Sequence, residues 1–330
     1  MLKGLFKTLL HLYALNLRVQ TVVFLAILIR ARAERTLSEE QNQAAKGKQF
    51  DRRRDAEDYT VYHTIEDGIE RVTFEPKERK FDTPIIFQHG MWQGAWAWER
   101  WGPLFASWGW QSHAISLPGH AGSFKQRPLW RCTLDYYLAF LKAEVERHPV
   151  KPVIIGHSMG GALLQWYLKY VGDDLPAGIL LSSMVSHSAI ADGLPLLARQ
   201  DPMGMFLSTI TWNSKSWVRD PYYLAQKVSS PNALVKPVDL HAKLSDGSLL
   251  VSFQHNPPFW SPPENVQTPL LWLTGENDAI VTFEGQRKSA EYYGAEFMPL
   301  ADTAHDIPTE PNGEQVARMI HDWLVGREIS

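Results

Sequence analysis

The run Pro152-Val153-Ile154-Ile155-Gly156-His157-Ser158-Met159-Gly160-Gly161 constrains this chain more than any other stretch. A short β-branched run enters Gly-x-Ser-x-Gly, and Ala162-Leu163-Leu164-Gln165-Trp166-Tyr167-Leu168 then reads as helix. Strand, sharp turn and helix in that order are the context a nucleophilic serine needs. The turn forces strained backbone angles on Ser158, and Gly156 and Gly160 remove Cβ atoms that would clash across it. The hydroxyl is expected to protrude above a sheet, beside the Met159 amide at the positive end of the following helix. A glycine-rich turn opening a helix also occurs in α/β proteins without catalysis, so the motif needs partners.

Three partners are present in a usable order. Pro269-Leu270-Leu271-Trp272-Leu273-Thr274 is a buried-strand pattern ending in Gly275-Glu276-Asn277-Asp278. Asp278, a few residues past the strand, is the candidate carboxylate to orient an imidazole, with Glu276 as its rival. Ala295-Glu296-Phe297-Met298-Pro299-Leu300 reads as a last strand and leads to His305. Of twelve histidines, His305 alone combines this order with such a loop, which makes it the candidate base. Upstream, Pro84-Ile85-Ile86-Phe87-Gln88-His89-Gly90-Met91 is a strand running into His-Gly. The amides of Met91 and Met159 are then the candidate oxyanion donors, with their thioether side chains lining an acyl pocket.

Across roughly residues 58 to 330 these parts resemble the α/β-hydrolase superfamily. Ile115-Ser116-Leu117-Pro118-Gly119-His120 is similar to that family's Leu-Pro-Gly-His loop. The stretch from His89 through Gly94-Ala95-Trp96 resembles the plant methylesterase and hydroxynitrile lyase branch, with Gln93 where that branch usually carries histidine. The resemblance implies an α/β-hydrolase fold: a mostly parallel eight-stranded sheet, helices on both faces and a helical cap insertion. It also implies the triad Ser158, Asp278 and His305, and it leaves the substrate open.

The chain of 330 residues suits one large α/β domain, 58–330, preceded by an extension, 1–57. Tyr59 to Ile65 and Ile69 to Phe74 read as a hairpin turning at Glu66-Asp67-Gly68. Strand–helix alternation then persists to a closing helix whose Val316, Met319, Ile320, Trp323 and Leu324 form a core-facing stripe. The cap is expected at about 187–266, where apolar helical pieces broken by prolines follow His187. A net charge of −3 without a clustered basic face argues against nucleic acid. A single cysteine, Cys132, excludes an intrachain disulfide and a thiolate cluster, and no metal-ligand spacing is found among the histidines. Neither a metal nor a cofactor is expected.

In the extension, Lys3, Lys7, His11, Arg18 and Thr21 fall on one narrow helical stripe, and almost everything else to Ile29 is apolar. About 26 residues from Gly4 to Ile29 make ~39 Å of helix, enough to cross a bilayer when tilted. Arg18 near its middle is costly there, which favours an interfacial anchor through residues 1–33. Packing on protein, with a cytoplasmic location, is the alternative; arginines beside Ala31-Arg32-Ala33 argue against a cleaved signal. Residues 34–57 read as a polar connector or helix extension.

The expected activity is hydrolysis of carboxylic esters with medium or long acyl chains, of monoacylglycerol or lysophospholipid type. A cyanohydrin-type carbon–carbon lyase is the alternative within the fold. The resemblance implies a lysine close to the acid in such lyases, whereas Ala279, Ile280 and Val281 follow Asp278 here. A ligand-binding receptor is the non-enzymatic alternative, and such proteins often lose a triad member.

Overall fold

Strands covered by helices on both faces need unbroken apolar runs, and this chain supplies four. In the computed structural model, which describes residues 2–35 and 46–330, β4 (Ile85–Gln88), β6 (Val153–His157), β7 (Gly178–Leu181) and β8 (Leu270–Gly275) are buried at every residue. Successive side chains point to opposite faces. Ile86, Ile154, Leu180 and Trp272 join one apolar layer, under α3 (Leu134–Glu146), α4 (Met159–Tyr170) and α10 (Phe283–Tyr293). Ile85, Phe87, Ile155, Ile179 and Leu271 join the other, under α2 (Trp101–Ser107) and α11 (Gly313–Gly326). The predicted stripe on α11 packs there, with Val316, Ile320, Trp323 and Leu324 buried and Met319 partly so.

The sheet order is β1-β2-β3-β5-β4-β6-β7-β8-β9, where β1 is Lys48–Asp55, β2 Tyr59–Glu66, β3 Ile69–Pro76, β5 Ser112–Ile115 and β9 Glu296–Leu300. Pairings from β5 through β9 are parallel, and β1 to β3 add an antiparallel end. The hairpin turns where expected, with Asp67 at φ 52° and Gly68 at φ 72°, both left-handed as a tight two-residue loop requires. The sheet has nine strands where eight were expected. The ninth is β1, inside the stretch read as a polar connector; all eight of its residues are exposed, so no hydrophobic alternation announces it, and its ladder to β2 is backbone. Residues 36–45 of that connector lie outside the described residues.

Between β7 and β8 the chain forms a helical cap of α5 (Ala189–Gln200), α6 (Pro202–Thr211), α7 (Pro221–Val228), α8 (Pro237–Ala242) and α9 (Leu249–Gln254). The prolines do not break these helices. Pro202, Pro221 and Pro237 each open one, where the missing N–H costs no hydrogen bond, and Pro195 lies within α5. Leu197, Trp217, Leu224 and Leu249 give the cap an apolar centre of its own. Two outside segments join that centre: Trp92, from the turn after β4, and Phe24 and Leu28 of α1 (Leu2–Ala31). α1 buries Gln20, Phe24, Leu28 and Ala31, a single stripe by spacing, against the body. Phe24 meets the rings of Trp212 and Phe253 edge-on at 5.5 and 5.4 Å.

Candidate active site

The strand β6 ends at His157 and α4 begins at Met159, so one residue makes the whole reversal. Ser158 takes φ 53° and ψ −112°, outside the regions that L-residues favour. Glycine on both sides is a steric need: a Cβ at Gly156 would lie 2.4 Å from the Gly160 carbonyl oxygen, and one at Gly160 would lie 2.2 Å from that of Gln88. The Ser158 amide donates to the Leu181 carbonyl (2.9 Å), which pins the turn to β7.

The predicted acid and base meet. His305 Nδ1 lies 2.8 Å from Asp278 Oδ2, with both side chains buried. The other carboxylate oxygen, Oδ1, accepts from the amides of Ile280 (2.8 Å) and Val281 (3.0 Å), and Gln286 Nε2 donates to Oδ2 at 3.2 Å. Burial pushes this carboxyl up, but His305 and the two amides outweigh it, so Asp278 stays ionised below its ordinary value. With the Nδ1 proton committed to Asp278, the basic nitrogen of a neutral His305 is Nε2. Glu276, the rival acid, is exposed at the surface.

Ser158 lines two clefts that share Met91 and Trp92. The larger runs under α5 and is walled by Met159, Met184, Leu194 and Leu197. The smaller is walled by Leu224, Val228, Leu240 and Leu244, with His157, His305 and Asp306 also lining it. Met159 is the first residue of α4, so its amide has no acceptor within the helix. Met91 lies two residues beyond His89, which is itself locked: Nδ1 donates to the Gly90 carbonyl (2.7 Å) and Nε2 accepts from the Leu117 amide (3.0 Å).

Gln93 stands out in the sequence only as a departure from a pattern; in the fold it is a junction. Its side-chain oxygen accepts from the Gly90 amide (3.1 Å) and lies 3.0 Å from His157 Nδ1, and its nitrogen donates to Asp306 Oδ1 (3.0 Å). His157 Nε2 donates to the His305 carbonyl at 2.9 Å. Burial, then the neighbouring His305, depress His157 to about 4. The turn after β4, the serine turn and the His305 loop are therefore tied together beneath the cleft. Of the remaining histidines, His113 on β5 and His120 are buried and pushed down by burial to about 3 and about 4, while His187 is exposed. Among the described residues no group of three or more His, Cys, Asp or Glu is arranged to hold a metal ion. Burial raises the Cys132 thiol to about 12, which leaves it unreactive.

The chain as a whole is similar to known proteins. The model of the alpha/beta hydrolase family matches residues 85–319, and the chain belongs to that family. It is a carboxylic ester hydrolase of the esterase and lipase class. The bifunctional esterase/perhydrolase DCH of Acinetobacter calcoaceticus is 27% identical over 269 residues, 75% of this chain and 94% of that one. Among solved structures, the monoacylglycerol lipase of Paleococcus ferrophilus superposes with a TM-score of 0.58 at 21% identity, covering 78% of this chain and 99% of its own. A membrane phospholipase A described as a bacterial virulence factor matches over all of both chains, with a TM-score of 0.58 at 17% identity. At such identities these likenesses speak for the fold.

Proposed function

We propose that the chain cleaves esters of medium or long acyl chains through an acyl-enzyme on Ser158. His305 Nε2 takes the proton of the Ser158 hydroxyl as its oxygen attacks the acyl carbonyl. Asp278 holds the proton on Nδ1 and stabilises the imidazolium that forms. The amides of Met91 and Met159 receive the oxyanion, each contributing about 3–4 kcal/mol to the transition state. The imidazolium then protonates the leaving alcohol, and water repeats the sequence to release the acid. The observation that carries this reading is the 2.8 Å contact of His305 Nδ1 with Asp278, beside a serine held at a strained turn in the same cleft.

The larger cleft is the acyl seat. Its wall is overwhelmingly apolar, and its volume of about 70 Å³ seats the part of the acyl chain next to the carbonyl. Longer chains extend past the cap. The membrane anchor is the outer face of α1, where Phe6, Leu9, Leu10, Leu12, Leu15 and Val22 are exposed.

A fluorophosphonate probe tests the centre of the reading, with labelling of the intact enzyme and none of Ser158→Ala as the expected result. An unlabelled intact enzyme favours a receptor on this fold. A Ser158→Ala enzyme that still turns over p-nitrophenyl esters at even about a tenth of the native rate rules the serine out, since nucleophile loss costs orders of magnitude more. The rate across acyl lengths should peak near the length the seat holds.

A further inference from the structure

The turn after β4 holds a conformation its own residues do not favour. Trp92 has φ 67°, in the left-handed region that suits glycine and disfavours a bulky side chain. Such an outlier persists only where its surroundings over-determine it. Here the surroundings that do so come from the cap. The Ser245 amide donates to the Trp92 carbonyl at 2.8 Å. The Trp92 indole N–H donates to Ser214 Oγ at 3.0 Å, and that hydroxyl donates in turn to the sulfur of Met91, also 3.0 Å away. Trp217 stands edge-on to the indole at 6.4 Å.

The socket is itself built. Asn213 and Ser248 form an isolated antiparallel bridge, the Ser214 amide donates to the Gly247 carbonyl (3.1 Å), and the Gly247 amide donates to Asn213 Oδ1 (3.2 Å). Gly247 is required for space: a Cβ there would lie 2.6 Å from the indole nitrogen and 2.3 Å from Ser214 Oγ. Three separate features thus serve one end, a strained backbone, a two-ended hydrogen bond through Ser214, and a glycine that makes room for both.

We propose that Ser214 and Gly247 are positioning residues of the reaction: they seat Trp92, and with it the turn that carries the Met91 amide, so that closing the cap and completing the oxyanion site are one event. This rests on the oxyanion role given to Met91 above. A cap that lifts gives up the Ser214 and Ser245 bonds together and leaves the turn held only through Gln93, whose side chain bonds the Gly90 amide and Asp306. The cap is then part of the catalytic framework as well as the roof of the acyl seat.

The test uses the full chain and three variants, Ser214→Ala, Gly247→Ala and Trp92→Phe, with Tm measured so that only folded protein is compared. On a short p-nitrophenyl ester, kcat should fall at least about tenfold, because a misaligned oxyanion donor forfeits much of its effect, while KM stays nearly constant for Ser214→Ala and Gly247→Ala, whose residues line neither cleft. The inhibition constant of a trifluoromethyl ketone, whose adduct with Ser158 carries the oxyanion, should rise by the same factor, and affinity of Ser214→Ala and Gly247→Ala for an unreactive ether analogue should not change. Folded variants that keep native kcat and native ketone affinity overturn the proposal, even where Tm drops, because the socket is then only structural. Should Gly247→Ala fail to fold, Ser214→Ala and Trp92→Phe decide the question. Full activity of Ser158→Ala would instead overturn the underlying reaction, so the two failures are distinct.

Discussion

Asp278→Asn changes one atom and should nearly silence the enzyme. Asp278 Oδ1 accepts two main-chain amides, from Ile280 and Val281. An asparagine must keep its carbonyl oxygen on those donors, which turns its NH2 toward His305 Nδ1 and Gln286 Nε2, where Oδ2 now lies. A donor facing Nδ1 forces the imidazole proton onto Nε2, the nitrogen that must accept from Ser158. The wrong tautomer costs about 10⁴ in kcat in the serine-protease template. Opposing the Gln286 amide with a second NH2 adds about 1–3 kcal/mol of destabilisation. Steady-state kinetics on a soluble ester measure the first effect and urea unfolding the second. Glu276→Gln is the control and should leave kcat unchanged, because Glu276 is exposed. A loss below about tenfold for Asp278→Asn lies under the ordinary range for general-base catalysis and refutes the tautomer argument. A larger effect at Glu276 than at Asp278 would falsify the choice of acid.

Gln93→Leu removes the junction between three loops and strands the Gly90 amide and Asp306 Oδ1; kcat should fall with little change in KM, and stability by about 1–3 kcal/mol per stranded group. An unchanged kcat would mean that the junction only fills space. His255, clamped between the Trp166 indole N–H and the Val185 carbonyl, is pushed by burial from 6.5 to about 4. Its folded value lies below its unfolded one, so its stabilising contribution is complete above about pH 6.5 and is lost as pH falls toward 4, roughly 3 kcal/mol in all. Urea unfolding across that window should show the slope, and His255→Gln should flatten it by about one proton. Phe24→Ala should cost about 3–5 kcal/mol if α1 packs on the cap in solution; no shift in the urea midpoint would detach the helix.

What the sequence disclosed and what it hid divide along contact distance. The candidates Ser158, Asp278 and His305 can be singled out in the sequence because each sits at a strand end in a fixed order, and the turn around Ser158 needs its glycines within two residues. The parallel strands were legible because burial on both faces demands unbroken apolar runs. Edge strand β1 was not, because it buries nothing. Trp92 and Gln93 were not either, because their partners Ser214 and Asp306 lie 122 and 213 residues away. Tryptophan before glutamine in a turn carries no local signal for a socket that the cap supplies.

The N-terminal helix has two apolar faces, and the one it buries decides between the ways in which the proposed anchor would meet a membrane. α1 is 30 residues long, about 45 Å of helix, so length permits a crossing. Crossing requires peeling Phe24 and Leu28 from the cap, at about 1.5–3 kcal/mol each, and stripping Gln20 Nε2 from the Thr209 carbonyl (3.3 Å). It also carries exposed Arg18 toward the bilayer centre, at no less than about 2.5 kcal/mol. Lying in the interface costs none of this. It also gains area: Tyr13 packs on Phe206 of α6 at 5.1 Å, and Met203, Phe206 and Ile210 expose one face of α6 beside the outer face of α1. Lys7, Arg18 and Arg30, exposed and with no acidic residue before Glu34, favour anionic headgroups. The full chain is therefore expected to sediment with anionic vesicles at low salt, and to be released by alkaline carbonate. Retention through carbonate means a spanning helix and sinks the in-plane arrangement. If the protein ignores vesicles and instead doubles in mass on sizing, a second copy covers that face.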